Sequence, residues 1–492
     1  MMGTENTNLA HSITKDISAQ DISAQDIEQR MAQTLAAQRA AYLAHPVPDY
    51  AERIADLDRL AQFVREYKEA ICDAINQDFG NRSRHETLLS EILPTLNEIH
   101  HSKKHLKQWM KPQRRAVDLK SFFGAKNWVI PQPLGVVGVI VPWNFPLFLS
   151  LGPLIGIFAA GNRAMVKMSE NSRHLTRLLQ DKLANYFPPE KLCFFEGEEG
   201  AGQAFSKQPF DHLIFTGSGQ TGSAVMAAAA RNLCPVTLEL GGKSPAIILD
   251  DFDFKLAVER IMYAKCLNAG QICVTVDHVY VPAHKVEEFI QIARTIVQQR
   301  YTGKDSVDYT AIIDGKSFDR LTQALDEAKS AGTRVIPLFD GEALDASARK
   351  MAPHLLINPP MDIELMTREI FGPILPVIPY TDLSAVVKDI NSRPRPLAFY
   401  PFTHDGKKLD YLLDHVISGG VSVNDTLLHV AQTDMPFGGV GASGMGHYHG
   451  YEGFLTFSKL RPVFYQARWS AASLLAPPYG KTFDRIMNFL MK

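Results

Sequence analysis

Apolar positions fall into two textures along the chain. Ile54, Leu57, Leu60, Phe63, Val64, Tyr67, Ile71 and Ile75 recur at intervals of three and four, with one adjacent pair. That spacing predicts an amphipathic helix. It should end near Asp78-Phe79-Gly80, where glycine makes a ready helix stop. A second helical stretch is predicted over Glu86–Trp109. From Leu134 onward, short apolar, β-branched runs alternate with helical stretches. The runs are Val136–Val141, Ala164–Met168, Leu192–Phe195, His212–Phe215, Val236–Leu240 and Ala246–Leu249. After Cys273 the alternation resumes, with His278–Val281, Arg334–Leu338 and Gly420–Val423 as predicted strands. Such alternation implies βαβ units and a mostly parallel sheet covered on both faces. The expected fold class is α/β. A chain of 492 residues is too long for one core. Two α/β domains joined near Glu239 are expected.

The most apolar region, Leu134–Gly161, is broken by Pro142, Asn144, Pro146 and Pro153. A bilayer span needs about 20 mostly apolar residues with a satisfied backbone. A buried strand, a turn and a buried helix fit better, so no transmembrane span is expected. The polar N-terminus carries a direct duplication, DISAQ at Asp16–Gln20 and again at Asp21–Gln25. It reads as a mobile tail or as the start of the first helix. Net charge is −2, which argues against nucleic acid or an anionic membrane as the main partner. Five scattered cysteines without CxxC spacing point to a reduced, cytoplasmic protein with no disulfide scaffold. No metal-ligand cluster is evident.

Five segments carry candidate chemistry. In Gly270-Gln271-Ile272-Cys273, the cysteine follows a glycine turn. It is either a nucleophile with a stabilised thiolate or a buried structural cysteine. In Thr237-Leu238-Glu239-Leu240-Gly241-Gly242-Lys243, a glutamate interrupts an apolar strand. Burial makes its charge costly, so it is either ion-paired or a raised-pKa proton acceptor. Phe215-Thr216-Gly217-Ser218-Gly219-Gln220-Thr221-Gly222 joins a strand to a helix, whose exposed N–H groups attract phosphate. The glycine spacing is not the usual dinucleotide fingerprint. In Pro142-Trp143-Asn144-Phe145-Pro146, the Asn144 amide either polarises a carbonyl or satisfies turn backbone. Lys167 and Glu170 end another strand, as ribose partners or as a solvated charge pair.

The order and wording of these segments resemble the aldehyde dehydrogenase superfamily from about Glu69 to Val463. Glu369-Ile370-Phe371-Gly372-Pro373 and Pro436–Gly446 extend the resemblance. Phe79–Thr87 and the run His447-Tyr448-His449-Gly450 through Ser458 are similar to class 3 members. Asn232–Leu240 looks most like coniferyl aldehyde dehydrogenases. The match is not complete: Gly219-Gln220-Thr221, Met168, Val276 and His278 depart from the common pattern.

The resemblance implies a Rossmann-like dinucleotide-binding domain, an α/β catalytic domain and a small β oligomerisation element. The expected boundaries are a tail over 1–27, cofactor binding over 28–115 and 133–238, catalysis over 239–436, and oligomerisation over 116–132 and 437–492. NAD is the implied cofactor, with NADP open. Cys273 would be the nucleophile, Glu239 the general base, and Asn144 with the Cys273 N–H the oxyanion hole. Lys167 and Glu170 would contact the adenosine ribose. Gly217, Ser218 and Gly222 would line the pyrophosphate turn. Glu369 would hold the nicotinamide ribose, with Phe371, Trp143 and Leu240 in the same cleft. Tyr263 would line the substrate tunnel or serve as a core aromatic. A homodimer is implied, with a β-hairpin between Ala116 and Gln132 at its interface. The segment Ala467–Lys492 would cover the tunnel mouth, pack on the partner subunit or dock on a membrane. The implied reaction is oxidation of an aldehyde, aromatic or medium-chain aliphatic, to its acid. An acylating relative that passes the acyl group to coenzyme A, or a non-catalytic descendant, would be expected to lack Glu239 or Cys273.

Overall fold

The computed structural model describes residues 24–468 and 470–491. Five parallel strands form a sheet in the order Val236–Leu240, His212–Gly217, Val136–Ile140, Arg163–Lys167, Leu192–Phe195. The chain runs outward from Val136–Ile140 in one direction, then crosses back and continues in the other. The order therefore reverses between Val136–Ile140 and His212–Gly217. Such a switch opens a crevice at the carboxyl ends of the strands. Alternation along the strands feeds two cores. Val136 and Ile140 pack with Ile27, Met31 and Leu35 of the helix Ala24–Ala44, while Val137 and Val139 face the larger core on the other side. A short strand, Gly444–Met445, closes the sheet edge antiparallel to Val236–Leu240, with Gly444 opposite Glu239. Gly444 has φ +147°, and a Cβ there would lie 2.3 Å from the Leu238 carbonyl oxygen, so only glycine fits.

The second sheet runs Arg334–Pro337, His354–Ile357, Ile374–Tyr380, His278–Pro282, Pro245–Ile248, Ala398–Phe402, Gly420–Val421, with Arg334–Pro337 antiparallel at one edge. Three of these strands escape the sequence pattern. Ile374–Tyr380 contains Pro376 and Pro379, and Ala398–Phe402 contains Pro401, each in register with a neighbour. Proline cannot donate to a ladder, which argues against a central strand. Burial of Ile374–Ile378 and of all of Ala398–Phe402 outweighs that loss here. The third, His354–Ile357, is only four residues long.

Other differences are local. The predicted helix through Ile75 is two helices, Tyr50–Glu66 and Lys68–Phe79, kinked at Tyr67 (φ −100°, ψ 16°) and ended by Gly80 at φ +79°. The stretch predicted from Glu86 is Arg84–Thr87, a π-turn Leu88–Ile92, then Leu93–Trp109. The helix Ala24–Ala44 takes in residues 24–27, which the sequence assigned to the tail, because Ile27 is buried in the core. Most of the DISAQ duplication lies outside the described residues. Lys126–Pro133 pairs with Gln113–Arg115 as a hairpin, and Ser458–Tyr465 adds a third strand. Among the described residues, no helix is long and apolar enough to cross a membrane.

Candidate active site

All the segments singled out before Glu369 reach the carboxyl edge of the first sheet or the loop facing it. Cys273 follows the helix Phe254–Cys266 through a loop in which Asn268, Ala269 and Gly270 have φ of +51°, +50° and +70°. Two consecutive non-glycine residues in that region store strain, which surrounding contacts must hold. Gln271 does much of this. Its Nε2 donates to the Asn268 and Ala311 carbonyls at 3.0 Å each, and its Oε1 accepts from the Ile313 N–H at 3.0 Å. The Asn144 Nδ2 donates to the Gln271 carbonyl at 3.2 Å. An amide nitrogen has two protons, so one remains uncommitted among the described residues. Asn144 is buried.

Glu239 sits at the end of Val236–Leu240, buried, and neither carboxyl oxygen has a hydrogen-bond partner. Burial alone raises its pKa well above the ordinary carboxylate value. Cys273 keeps a partly exposed surface. Dense surroundings push its thiol up to about 12, and the charges of Glu369 and Glu239 add to that. The charge of Glu239 thus reaches the Cys273 sulfur across the fold. Burial also pushes Glu369 up to about 8, with Asp277 adding to the rise. Its Oε1 is unpartnered. A Cβ on Gly241 would lie 2.1 Å from its Oε2, so the glycine makes room for it. Phe371 holds φ +51°, with its ring edge-on to Trp143 at 5.3 Å. Beside Glu369, Gly241 and Gly242 lies a cavity of about 460 Å³.

At the other end of the crevice, Ser218 caps the helix Gly219–Ala230, its hydroxyl accepting from the Thr221 N–H at 3.3 Å. Gly217 precedes it. Gly222 packs on Leu240, where a Cβ would come within 2.7 Å of Leu240 Cδ2. Lys167 donates to Glu170 at 2.5 Å. Burial opposes ionisation of Glu170, but Lys167 outweighs it and holds the carboxyl below its usual range. Beyond this pair opens a cavity of about 570 Å³ lined by Arg173, Arg177, Glu196, Glu198 and Glu199. The residues present thus suit a dinucleotide. Free N–H groups and glycines lie at the switch point, with a carboxylate and an ammonium beyond.

Tyr263 is the outlier. It lies on the helix Phe254–Cys266, 41% exposed, with Glu86, Arg300 and Asp425 as its charged neighbours. Sequence reasoning passed over three residues in or beside the motifs it quoted. Gln271 holds the loop that carries Cys273. Asp277 accepts from the Ile370 N–H at 3.0 Å and pairs with Lys243, tying the Glu369 loop to the Cys273 segment. Tyr448 is buried where the charges of Glu239 and Cys273 reach its hydroxyl. Membership of a chemically dense motif was the only signal for these.

A sequence profile described as the aldehyde dehydrogenase family matches residues 10–463. The chain belongs to the aldehyde dehydrogenase family. It is 52% identical to a Pseudomonas aeruginosa protein named "Probable coniferyl aldehyde dehydrogenase", over 92% of this chain and 94% of that one. A Staphylococcus aureus AldH structure in a substrate-bound state superposes with TM-score 0.87 at 34% identity, covering 93% of this chain and 99% of that one. A Mycobacterium tuberculosis aldehyde dehydrogenase complexed with NAD+ gives 0.80 at 25% identity, over 90% of each chain. This aldehyde dehydrogenase therefore carries out the family's general reaction, oxidation of an aldehyde to the acid.

Proposed function

We propose that this aldehyde dehydrogenase oxidises an aromatic, phenylpropanoid aldehyde such as coniferaldehyde with NAD+, using Cys273 as nucleophile and Glu239 as general base. The observation that carries the reading is the Glu239 carboxyl. Both its oxygens are buried and unpartnered, yet its charge acts on the Cys273 thiol. A structural glutamate would have a cation or donor beside it. The aromatic substrate class is taken from the name of the Pseudomonas aeruginosa relative.

The Cys273 sulfur forms a bond to the aldehyde carbon and its proton passes to Glu239. The carbonyl oxygen gains charge, which the free Asn144 N–H and the Cys273 backbone N–H stabilise. Removing one such donor typically costs about 2.7–4 kcal/mol. Lys167, Glu170, Glu369 and the N–H groups at the start of the Ser218-capped helix would hold NAD+, which would supply a hydride acceptor; with the aldehyde hydrogen given up as hydride, a thioester remains on Cys273. Glu239, its first proton released to solvent, takes a proton from water. The resulting hydroxide adds to the thioester, and cleavage of the carbon–sulfur bond releases the acid and restores the sulfur. The charge of Glu239 also raises the Cys273 thiol, so ionising the carboxyl makes the thiolate harder to form.

NAD+ rather than NADP+ follows from the charges at the Lys167 end. Glu170, Glu196, Glu198 and Glu199 surround the place of the ribose, and Arg177 is already paired with Glu196 at 3.6 Å. A 2′-phosphate would meet net negative charge there. The three-stranded sheet exposes Leu460, Phe464 and Tyr465, and the turn of its hairpin exposes Phe122 and Phe123, which supports a homodimer joined through that region. Five free thiols fit a reducing, cytoplasmic location.

The test is NADH formation over coniferaldehyde, benzaldehyde and medium-chain aliphatic aldehydes, with and without coenzyme A, and with NADP+ as competitor. Coniferaldehyde should have the highest kcat/KM, and the product should be free acid without coenzyme A. An aliphatic optimum would defeat the substrate assignment. Sedimentation at twice the chain mass checks the dimer.

A further inference from the structure

The segment Asn81–Glu91 contributes nothing to the chemistry above, yet it carries three buried charges aimed at the site. Arg82 and Glu91 form an ion pair at 2.9 Å with both side chains fully buried. Arg82 Nη1 also donates to the Asn144 carbonyl at 3.0 Å, and Nη2 to Ser90 Oγ at 3.2 Å. The guanidinium is held between the rings of Phe79 and Phe145, at 5.0 and 4.8 Å. Glu91 Oε2 accepts from the Leu147 and Phe148 N–H groups at 2.7 and 3.2 Å. It thereby serves the start of the helix Phe148–Ala159, whose own first residues provide no side-chain cap. The pair thus grips the turn at Asn144 itself and again at Leu147 and Phe148. On the same segment Glu86 accepts from the Asn268 N–H at 3.2 Å and from Thr310 Oγ1 at 2.5 Å. That contact secures the strained loop before Cys273. Residues five apart diverge around an α-helix, and the wider π-turn Leu88–Ile92 turns Glu86 and Glu91 toward one side.

We propose that Arg82 and Glu91 are positioning residues for the Asn144 amide, and that with Glu86 they form the frame that holds both donors of the oxyanion site in register. The inference rests on the assignment of Asn144 as oxyanion donor made above. A buried ion pair is a poor way to gain stability, because desolvation offsets its attraction. Its use here is geometric. The fork of Arg82 joins a carboxylate, a hydroxyl and a main-chain carbonyl at fixed angles, which an ammonium cannot do.

The experiment is a double-mutant cycle between Arg82→Lys and Asn144→Ala, read as kcat at saturating NAD+ and aldehyde. NAD+ affinity and thermal midpoint serve as fold controls. Arg82→Lys should lower kcat about tenfold or more when Asn144 is present, the scale of a sub-ångström misplacement. In the Asn144→Ala background the same change should cost less than about twofold, because linked residues are not additive. NAD+ affinity should stay unchanged. Glu91→Gln is the second variant and should repeat the pattern. Equal losses in both backgrounds would overturn the inference alone, as would failure of both variants to give soluble enzyme, which would make the pair a core element. An unchanged kcat in Asn144→Ala itself would overturn the oxyanion assignment, and this inference with it.

Discussion

The two ends of the crevice treat charge in opposite ways. At the Lys167 end, Lys167 pairs with Glu170 and Arg177 with Glu196, and Glu170 and Arg177 reach solvent. At the Cys273 end they are unpaired and enclosed. Glu239 and Glu369 have oxygens with no partner, and burial holds both carboxyls and the thiol toward their neutral forms. Paired charges in contact with water discriminate between ligands at little cost to the fold. Unpaired groups kept from water are poised to move protons, since little solvent competes for them. Paired and unpaired charge are thus segregated along one sheet edge.

The sharpest way to break that comparison is to remove the sulfur. Cys273→Ser should lower kcat by at least about 100-fold, the scale of losing a covalent nucleophile, while NAD+ affinity holds. Retained turnover in an NADH assay would end the assignment. Glu239→Gln comes next. It should leave an initial burst of NADH near one per site, then slow steady turnover by about 10²–10⁴-fold as deacylation loses its base. In the parent enzyme kcat should rise with pH through the elevated Glu239 range, and this limb should vanish in the glutamine variant. At the paired end the effect should be smaller. Glu170→Ala should improve kcat/KM with NADP+ relative to NAD+ by up to about fivefold, the worth of roughly one surface charge interaction. An unchanged ratio would show that Glu170 does not select the cofactor.

The smallest expected effect is on stability. The Glu369 carboxyl rises from 4.5 to about 8 on folding, driven first by burial. A raised folded value means its contribution is complete below pH 4.5 and is lost as pH rises toward 8. Glu369→Gln, neutral at every pH, should therefore match the parent in thermal midpoint near pH 4.5 and exceed it by a few degrees at pH 8. A constant difference across that range would show that the carboxyl does not titrate as stated.

Much of the first sheet was legible in the sequence. Leu192–Phe195 and Val236–Leu240 were placed to the residue because largely buried parallel strands read as short apolar runs, which Glu239 interrupts without erasing. Ile374–Tyr380 and Ala398–Phe402 were not, because their prolines mimic loop punctuation. The site follows the same division. Cys273, Glu239 and Asn144 stood out because each is a reactive group in an unusual local setting. Gln271, Asp277 and Arg82 looked ordinary, since their partners lie in other parts of the chain.

The sequence by itself determined the alternating α/β architecture, the glycines that close turns require, and the motifs that carry sulfur, carboxylate and amide. Local spacing is enough for these, because period, propensity and backbone freedom are properties of short segments. Only the tertiary structure decided that Glu239 has no partner, that Cys273 lies within reach of its charge, and that a buried arginine grips the carbonyl of Asn144. Burial and pairing depend on what other segments bring to a point in space, and no single segment contains that information.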